Sequence, residues 1–387
     1  MSEAILYLDA EPGGRIQAAS LAGIRRYAQS LRWNVVDVPP ADSRRPANIS
    51  VLLAAHHPVA GCVVDGSGGR RNLPPRLFGE VPVVYMHTEP SLYGGRGMRV
   101  GYDDAAIAEA AFRELSAGQP AAFAVVPFDW PPGRRGWALR RERAFAALAA
   151  TSGKPCFRMP WRKEPKERRE TRLVRWLATL PRHTAIFAVG DMAAAETAAA
   201  AKLCHRSIPR ELTLLGIDND PALCEASRPT LSSIQIDHEL AGYLAAKAIT
   251  AAMPPPLEIA VRPLLAVRRE STGGRGRHEP LILAAVETIR REACDGLTAA
   301  DLAARFPGSR SLFQLRFREA MGHSVLDEIL HVRLEKVLTL LSQTDTAIGA
   351  ISGLCGFRTD RALDSLFHSR FGMSMQEWRR RNGRVRP

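Results

Sequence analysis

At 387 residues, with 46% hydrophobic and 24% charged side chains, the chain is too long for one ordinary core and has the make-up of a globular protein of two or three domains. No apolar run approaches the ~20 residues of a membrane span, and MSEAILYLDAEPGG reads as a first strand, lacking the basic start and cleavage site of a signal peptide. A cytoplasmic protein without a membrane partner is therefore expected. The net charge of +13 favours an anionic partner, but residues 278–387 hold 16 basic against 13 acidic side chains, so most of the excess lies upstream. Much of it falls in residues 134–175, where it reads as a solvated basic surface rather than a nucleic-acid site.

From the N-terminus to about Thr272, short β-rich runs alternate with Ala-rich helical stretches. The strand AILYLDA precedes a helix over residues 17–31; WNVVDV, GCVVDG and VPVVYM are strands; residues 105–115 form a helix. The pattern resumes with AAFAVVPF, a helix over residues 138–150, TAIFAVGD, a helix over 193–203, and LTLLGIDND. So many strand–helix units imply two lobes, each a parallel sheet covered on both faces, with ligands expected at the carboxyl ends of the strands.

Asp9, Asp65, Asp129, Asp191 and Asp218 each follow an apolar run at such an end. A single Asp there is an ordinary turn former, but five together suit a polyhydroxylated ligand, since carboxylates accept from hydroxyls while an aromatic face covers the C–H surface of a sugar ring. Phe128, Trp130 and Trp137 are candidates for that face and equally read as core or rim aromatics. The six cysteines are scattered, with no C-x-x-C or Cys/His cluster, and read as buried free thiols. Neither a cofactor nor a metal is implied.

GGRGRHEP follows RREST and, rich in Gly and Arg with a Pro, reads as a linker over residues 273–280 between a ligand-sensing domain (1–272) and a terminal domain (281–387). A helix over 281–294 opens the latter. Thr298 with Asp301 resembles a capping box, residues 299–306 form a support helix, Pro-Gly a turn, and residues 309–321 a second helix. Apolar residues at helical spacing over 325–341 predict one connecting helix of roughly 26 Å. The pattern then repeats fifty positions on: Ser309, Phe313, Phe317, Gly322 and Ser324 answer to Thr359, Leu363, Phe367, Gly372 and Ser374. Two short capped helices joined by a tight turn, twice over, describe an all-α double helix-turn-helix domain. The connecting helix and its turns can set its recognition helices about one DNA turn (~34 Å) apart.

LCGFRTDRALDSLFHSRFGMSMQEWRR follows the signature of the AraC family: a Cys-Gly-Phe turn, a spaced Phe, Phe-Gly and a terminal aromatic-Arg pair, Trp378 and Arg379. The tail is identified as a member of that family over about 100 residues, with Met375 where the family has Pro and Ala362-Leu363 where it has an aromatic. RVGYDDAAIAEAAFREL, WALRRERAFAAL, AIFAVGDMAA, LLGIDNDPALCEASRPTLSSI and the closing VRREST resemble the α/β two-lobed, periplasmic-binding-protein-like sensor of LacI/GalR-type repressors, without their DNA-binding head. Sensor first and AraC-type tail last is similar to the XylR-type branch of the AraC family.

That resemblance implies base-reading positions at Ser311, Gln314 and Leu315 and at Asp360, Arg361 and Ser365, with Arg310, Arg316 and Arg358 on phosphates. Arg361 can bond guanine and Gln314 adenine bidentately. Leu315 reads either as a thymine-methyl contact or as packing, and Asp360 either as an acceptor from cytosine or as a cap. It further implies that Arg141, Asp191 and Asp218, joined by Asp9 and Trp137, converge on a small sugar, with xylose or a similar pentose as first candidate. The expected protein is a sugar-responsive, double-stranded-DNA-binding transcription regulator, dimeric, with RNA polymerase as a further partner. A solute-binding protein for transport and an enzyme acting on a sugar or nucleoside in the same cleft are the alternatives. Absence of G-x-x-x-x-G-K-[ST], G-x-S-x-G and H-E-x-x-H from the chain leaves the enzyme without a catalytic motif.

Overall fold

The computed structural model describes residues 3–8, 14–39, 46–66, 73–89, 93, 97–127, 136–160, 162, 165–250, 257–273, 280–321, 323–344 and 346–382. Asp9, Phe128, Asp129, Trp130, Gly322 and linker positions 274–279 lie outside them. The chain divides into two compact units, Met1–Arg277 and His278–Pro387.

The first unit holds two six-stranded sheets. One contains β1 (Ala4–Leu8), β2 (Asn34–Val38), β3 (Val59–Asp65), β4 (Val83–Met86), β5 (Met98–Tyr102) and β11 (Leu257–Val261), in the order β11-β5-β4-β3-β1-β2 and parallel throughout. The other contains β6 (Ala122–Val126), β7 (Cys156–Arg158), β8 (Thr184–Ala188), β9 (Leu212–Ile217), β10 (Ser232–Ile234) and β12 (Ala266–Val267), in the order β12-β10-β9-β8-β6-β7, antiparallel only between β10 and β12. Every residue of β1, β4, β6 and β8 is buried. Ile5 and Tyr7 enter one apolar cluster and Leu6 and Leu8 another, so both sheet faces are covered and the strands read as unbroken apolar runs.

Around the sheets lie α1 (Arg15–Ser30), α2 (Asn48–Ala55), α3 (Asp104–Ser116), α4 (Gly136–Thr151), α5 (Lys166–Thr179), α6 (Asp191–Leu203), α7 (Pro221–Ala226) and α8 (His238–Ile249). The basic stretch from residue 134 is not the uniformly solvated surface expected. It contains α5, whose Arg169 is buried, ion-paired to Glu196 and donating to the Pro127 carbonyl at 3.2 Å, and Arg141 is buried in α4.

The chain passes between the sheets three times, from β5 to α3, from β10 to α8 and from β11 to β12. These crossings bond to one another: Asp103 N–H donates to Val261 O (2.9 Å), Gln235 N–H to Leu265 O (2.8 Å) and Leu264 N–H to Gln235 O (2.9 Å). Two end in an aspartate that starts the next helix, Asp103 accepting from Ala106 N–H at 2.9 Å and Asp237 from Leu240 N–H at 2.7 Å. α8 then lies against α1 at backbone distance, because Gly23 and Gly242 face each other's helices: a Cβ on Gly242 would stand 1.8 Å from the Ser20 carbonyl oxygen, and one on Gly23 1.9 Å from that of Glu239.

The second unit is helical among its described residues: α9 (Pro280–Glu292), α10 (Ala299–Ala304), α11 (Arg310–Met321), α12 (Val325–Gln343), α13 (Ile348–Leu354), α14 (Asp360–Phe371) and α15 (Met375–Asn382). Thr298 and Asp301 complete a reciprocal capping box on α10, and Ser324 and Asp327 a second one on α12. Stacked Phe306 and Phe313, 5.2 Å between centroids, join α11 to the end of its support helix. Leu363, Phe367, Met375 and Cys355 pack with Leu334, Val337 and Leu341 of α12, so both departures from the AraC pattern are absorbed into a closed core. Among the described residues, no helix is long and apolar enough to cross a membrane.

The close contact of α1 and α8 makes a prediction. Gly242→Ala places a methyl against backbone that cannot yield, and thermal unfolding should show a loss of about 1–3 kcal/mol. Gly349→Ala in α13 meets nothing within 4 Å and should instead stabilise, by up to ~1 kcal/mol.

Candidate functional site

The polar groups of the first unit gather where the chain crosses between its sheets. Arg141, on α4, is 3% exposed; its Nε donates to Asp104 Oδ1 at 2.8 Å, and its guanidinium lies 4.6 Å from the centroid of the Trp137 ring. Arg140 takes the other oxygen of Asp104 at 2.8 Å, so the first turn of α3 anchors a forked pair of cations. The charge of Arg141 also acts on Asp218 and Tyr102.

Asp218 follows β9 in a left-handed conformation, φ +95°, and Asn219 after it has φ +48°. Two consecutive non-glycine residues in that region store strain of the kind found at ligand sites. Its backbone is fixed by its N–H to Ile234 O (2.9 Å) and by Arg15 donating to its carbonyl (3.2 Å). Burial raises the pKa of its carboxyl, while Arg141, Arg15 and His87 pull it back.

Asp191 has a different environment from the one anticipated. It is the first residue of α6 and 2% exposed, and both oxygens are engaged: Oδ1 accepts from Ser233 Oγ at 2.6 Å, Oδ2 from Asp220 N–H at 2.7 Å and Cys224 Sγ at 3.4 Å. It thus ties β10 and the Asp218–Asp220 turn to α6. Burial, and secondly the charge of Asp218, push its pKa up to about 7.

Tyr7, His87, Tyr102 and His238, which carry no sequence signal of their own, join the strand-end acid Asp65 in this region. Asp65 accepts from Tyr7 at 2.6 Å and from His87 at 3.0 Å; the other His87 nitrogen meets Tyr102 at 2.8 Å; Tyr102 meets His238 Nδ1 at 2.5 Å. His238 Nε2 stands 3.7 Å from Asp218 Oδ1. Burial first, then His87, Arg15 and Arg141, lower the His238 pKa well below its ordinary value, so this imidazole is neutral. The structure thus brings Asp65, Asp218, Arg141 and Trp137 into one region with His87, Tyr102, His238, Arg15 and Asp104, and sets Asp191 behind the Asp218 turn.

In the second unit, Phe313 and Phe317 of α11 and Leu363 and Phe367 of α14 face inward. Ser311, Gln314 and Leu315, and Arg361 and Ser365, lie exposed on the opposite faces, as do Arg310, Arg316 and Arg358. One oxygen of Asp360 is taken by a short hydrogen bond from Ser352 Oγ of α13, which locks support and recognition helices together. Arg333 of α12 donates to Ala293 O (2.8 Å) and Leu297 O (2.9 Å) and covers the Phe357 ring, joining the two motifs.

Residues 119–272 match the periplasmic binding protein-like domain family, and residues 302–381 match a helix-turn-helix domain family. The chain is 31% identical over 293 residues to the xylose operon regulatory protein of Escherichia coli (strain K12), covering 74% of each chain. It is 29% identical over 255 residues to the protein of that name from Haemophilus influenzae, covering 63% of this chain and 65% of that one. A solved structure of a xylose-binding transcription activator superposes over 99% of both chains, with TM-score 0.57 and 25% identity.

The raised acid at Asp191 has a definite pH signature. Its carboxyl is pushed up to about 7 in the fold, against 3.8 for a free Asp side chain, so between those values the folded form binds more protons. Stability contributed by this group is therefore full below about pH 4 and lost as pH rises through 7. Asp191→Asn removes the titration, and its unfolding temperature relative to the parent should climb between pH 4 and 7. A difference that stays flat over that range would refute the assignment.

Proposed function

The chain belongs to the family of the xylose operon regulatory proteins, AraC-type transcription regulators with a periplasmic-binding-protein-like sensor, and from that premise we propose that it answers to a pentose, D-xylose first, bound in the cleft of residues 1–272. The observation that carries this reading is the grouping of Asp218, His238, Arg141 and Trp137 where the sheets are joined. An acceptor, a second polar nitrogen, a forked cation and an aromatic face are what a small neutral polyol needs. Asp191 acts by holding the Asp218 turn, and Asp9, next after Leu8 in the sequence, is the further acceptor of this reading.

Residues 281–387 bind double-stranded DNA, one recognition helix per motif. Gln314, Ser311 and Leu315 read bases from α11, and Arg361 and Ser365 from α14. Asp360 has one oxygen left for a base after its bond to Ser352. Arg310, Arg316 and Arg358 hold phosphates. The pentose must bind one arrangement of the protein better than the other for transcription to change, and residues 273–280 connect sensor to reader. The protein works in the cytoplasm as a homodimer on direct or inverted half-sites, meets RNA polymerase there and catalyses no reaction on the sugar.

A thermal-shift screen over pentoses and hexoses tests the sensor: a ligand at 100 times its dissociation constant adds ~2.7 kcal/mol to stability. If none of these sugars moves the transition, the pentose reading is lost. For the reader, Arg361→Ala should cost about 1–3 kcal/mol on operator DNA and relax preference at one base pair. Arg358→Ala should weaken all sequences alike and lower the slope of log K against log salt by ~0.9.

A further inference from the structure

Tyr7, Asp65, His87, Tyr102 and His238 form one line of hydrogen bonds crossing the sensor from β1 to the first residue of α8. The line ends on an unsatisfied atom. His238 is 4% exposed, yet among the described residues its Nε2 has no hydrogen-bond partner, and it lies 3.7 Å from Asp218 Oδ1, beyond hydrogen-bond length. A buried polar atom left so costs about 1–3 kcal/mol, which a ligand group placed there recovers.

The proton order along the line decides what that group is. An ionised Asp65 only accepts, and Tyr7 and His87 Nδ1 then both donate to it. The Tyr102 hydroxyl has one proton, and His238, being neutral, has one N–H. Two orders remain. In one, Tyr102 donates to His87, His238 Nδ1–H donates to Tyr102, and Nε2 turns a bare lone pair towards the Asp218 carboxylate, two acceptors facing each other. In the other, His87 donates to Tyr102, Tyr102 donates to His238 Nδ1, and Nε2–H points at Asp218. The second order leaves no pair of acceptors opposed, and its additional proton sits between Asp65 and His87, the one contact in the line between an imidazole and a carboxylate.

We propose that His238 is a specificity-determining contact of the effector site, bracketing one ligand hydroxyl with Asp218: Nε2–H donates to the hydroxyl, and the hydroxyl donates to the carboxylate. An oxygen about 2.8 Å from both atoms fits over their 3.7 Å separation. Only a group that accepts and donates at once satisfies both, so an alcohol is taken, while a deoxy position, an ether or a phosphate oxygen is refused. Tyr102 is a positioning residue that acts through His238. The inference rests on the pentose reading above and deepens it.

The test uses the full chain, D-xylose and its monodeoxy derivatives, with affinities measured by calorimetry. In the parent protein one ring position should lose at least about tenfold on deoxygenation, since a site built for a hydroxyl rejects the analogue lacking it. In His238→Phe that penalty should shrink to within about twofold while penalties at other positions stand. Tyr102→Phe, which leaves His238 and Asp218 in place, should reduce the same penalty, and His238→Gln, which keeps an N–H, should restore part of it. An unchanged pattern of penalties in His238→Phe overturns the proposal. Failure of the parent to bind any pentose would count against the pentose reading instead. Nitrogen NMR of the imidazoles then judges the line by itself: His238 as the Nε2–H tautomer supports it, and as the Nδ1–H tautomer overturns it.

Discussion

Everything the sensor can do depends on three short stretches of backbone that bond to each other. Asp103 to Val261 continues the pairing of β5 with β11, and Gln235 to Leu265 and Leu264 to Gln235 continue that of β10 with β12, so each sheet's ladder runs on into the crossings. Such a ladder satisfies the peptide groups of chain that has left one sheet and not yet entered the other. It also brings the last residue of β5, the first of α8 and the turn after β9 to one level. Tyr102 is a neighbour of His238 and Asp218 for that reason, although more than a hundred positions separate it from either.

The reader has an equivalent constraint in one side chain and one backbone position. Arg333 gives hydrogen bonds to carbonyls at the end of the first motif's supporting layer and its cation to Phe357 of the second. Gly356, with φ +74°, stands where a Cβ would be 2.8 Å from the carbonyl oxygens of Ala293 and Cys294. The Cys-Gly-Phe turn is thus a contact between the two halves as much as the corner of one. With both halves bound to α12, the separation of α11 and α14 belongs to the unit rather than to its DNA.

What the amino-acid order reveals follows from how local each cause is. The capping box of Thr298 and Asp301, the longer apolar strands and the Ala-rich helices named above are local, and they were legible to within a residue or two. α8 was not, because HELAGYLAAKAI is buried against α1 and a sheet together and keeps only a narrow stripe, Glu239, Tyr243 and Lys247, to mark its period. β10 and β12, of three and two residues, are too short to carry alternation. The cleft is the least local feature: Arg141 and Asp218 are legible by resemblance, but the His87–Tyr102–His238 line joins two strand ends and a helix start from distant parts of the chain. Asp191 illustrates the same limit, since only the arrival of Ser233, Asp220 and Cys224 makes a strand-end carboxylate into a brace.

The glycine contact between α1 and α8 has a mechanical consequence. With backbone against backbone at Gly23 and Gly242, the two helices cannot slide or tilt independently, so α8 and the imidazole at its first residue are carried as part of the first sheet's layer. Asp218 is carried by the second. The distance between His238 and Asp218 is therefore a gauge of how far one lobe stands from the other, read at a gap to which each contributes an atom.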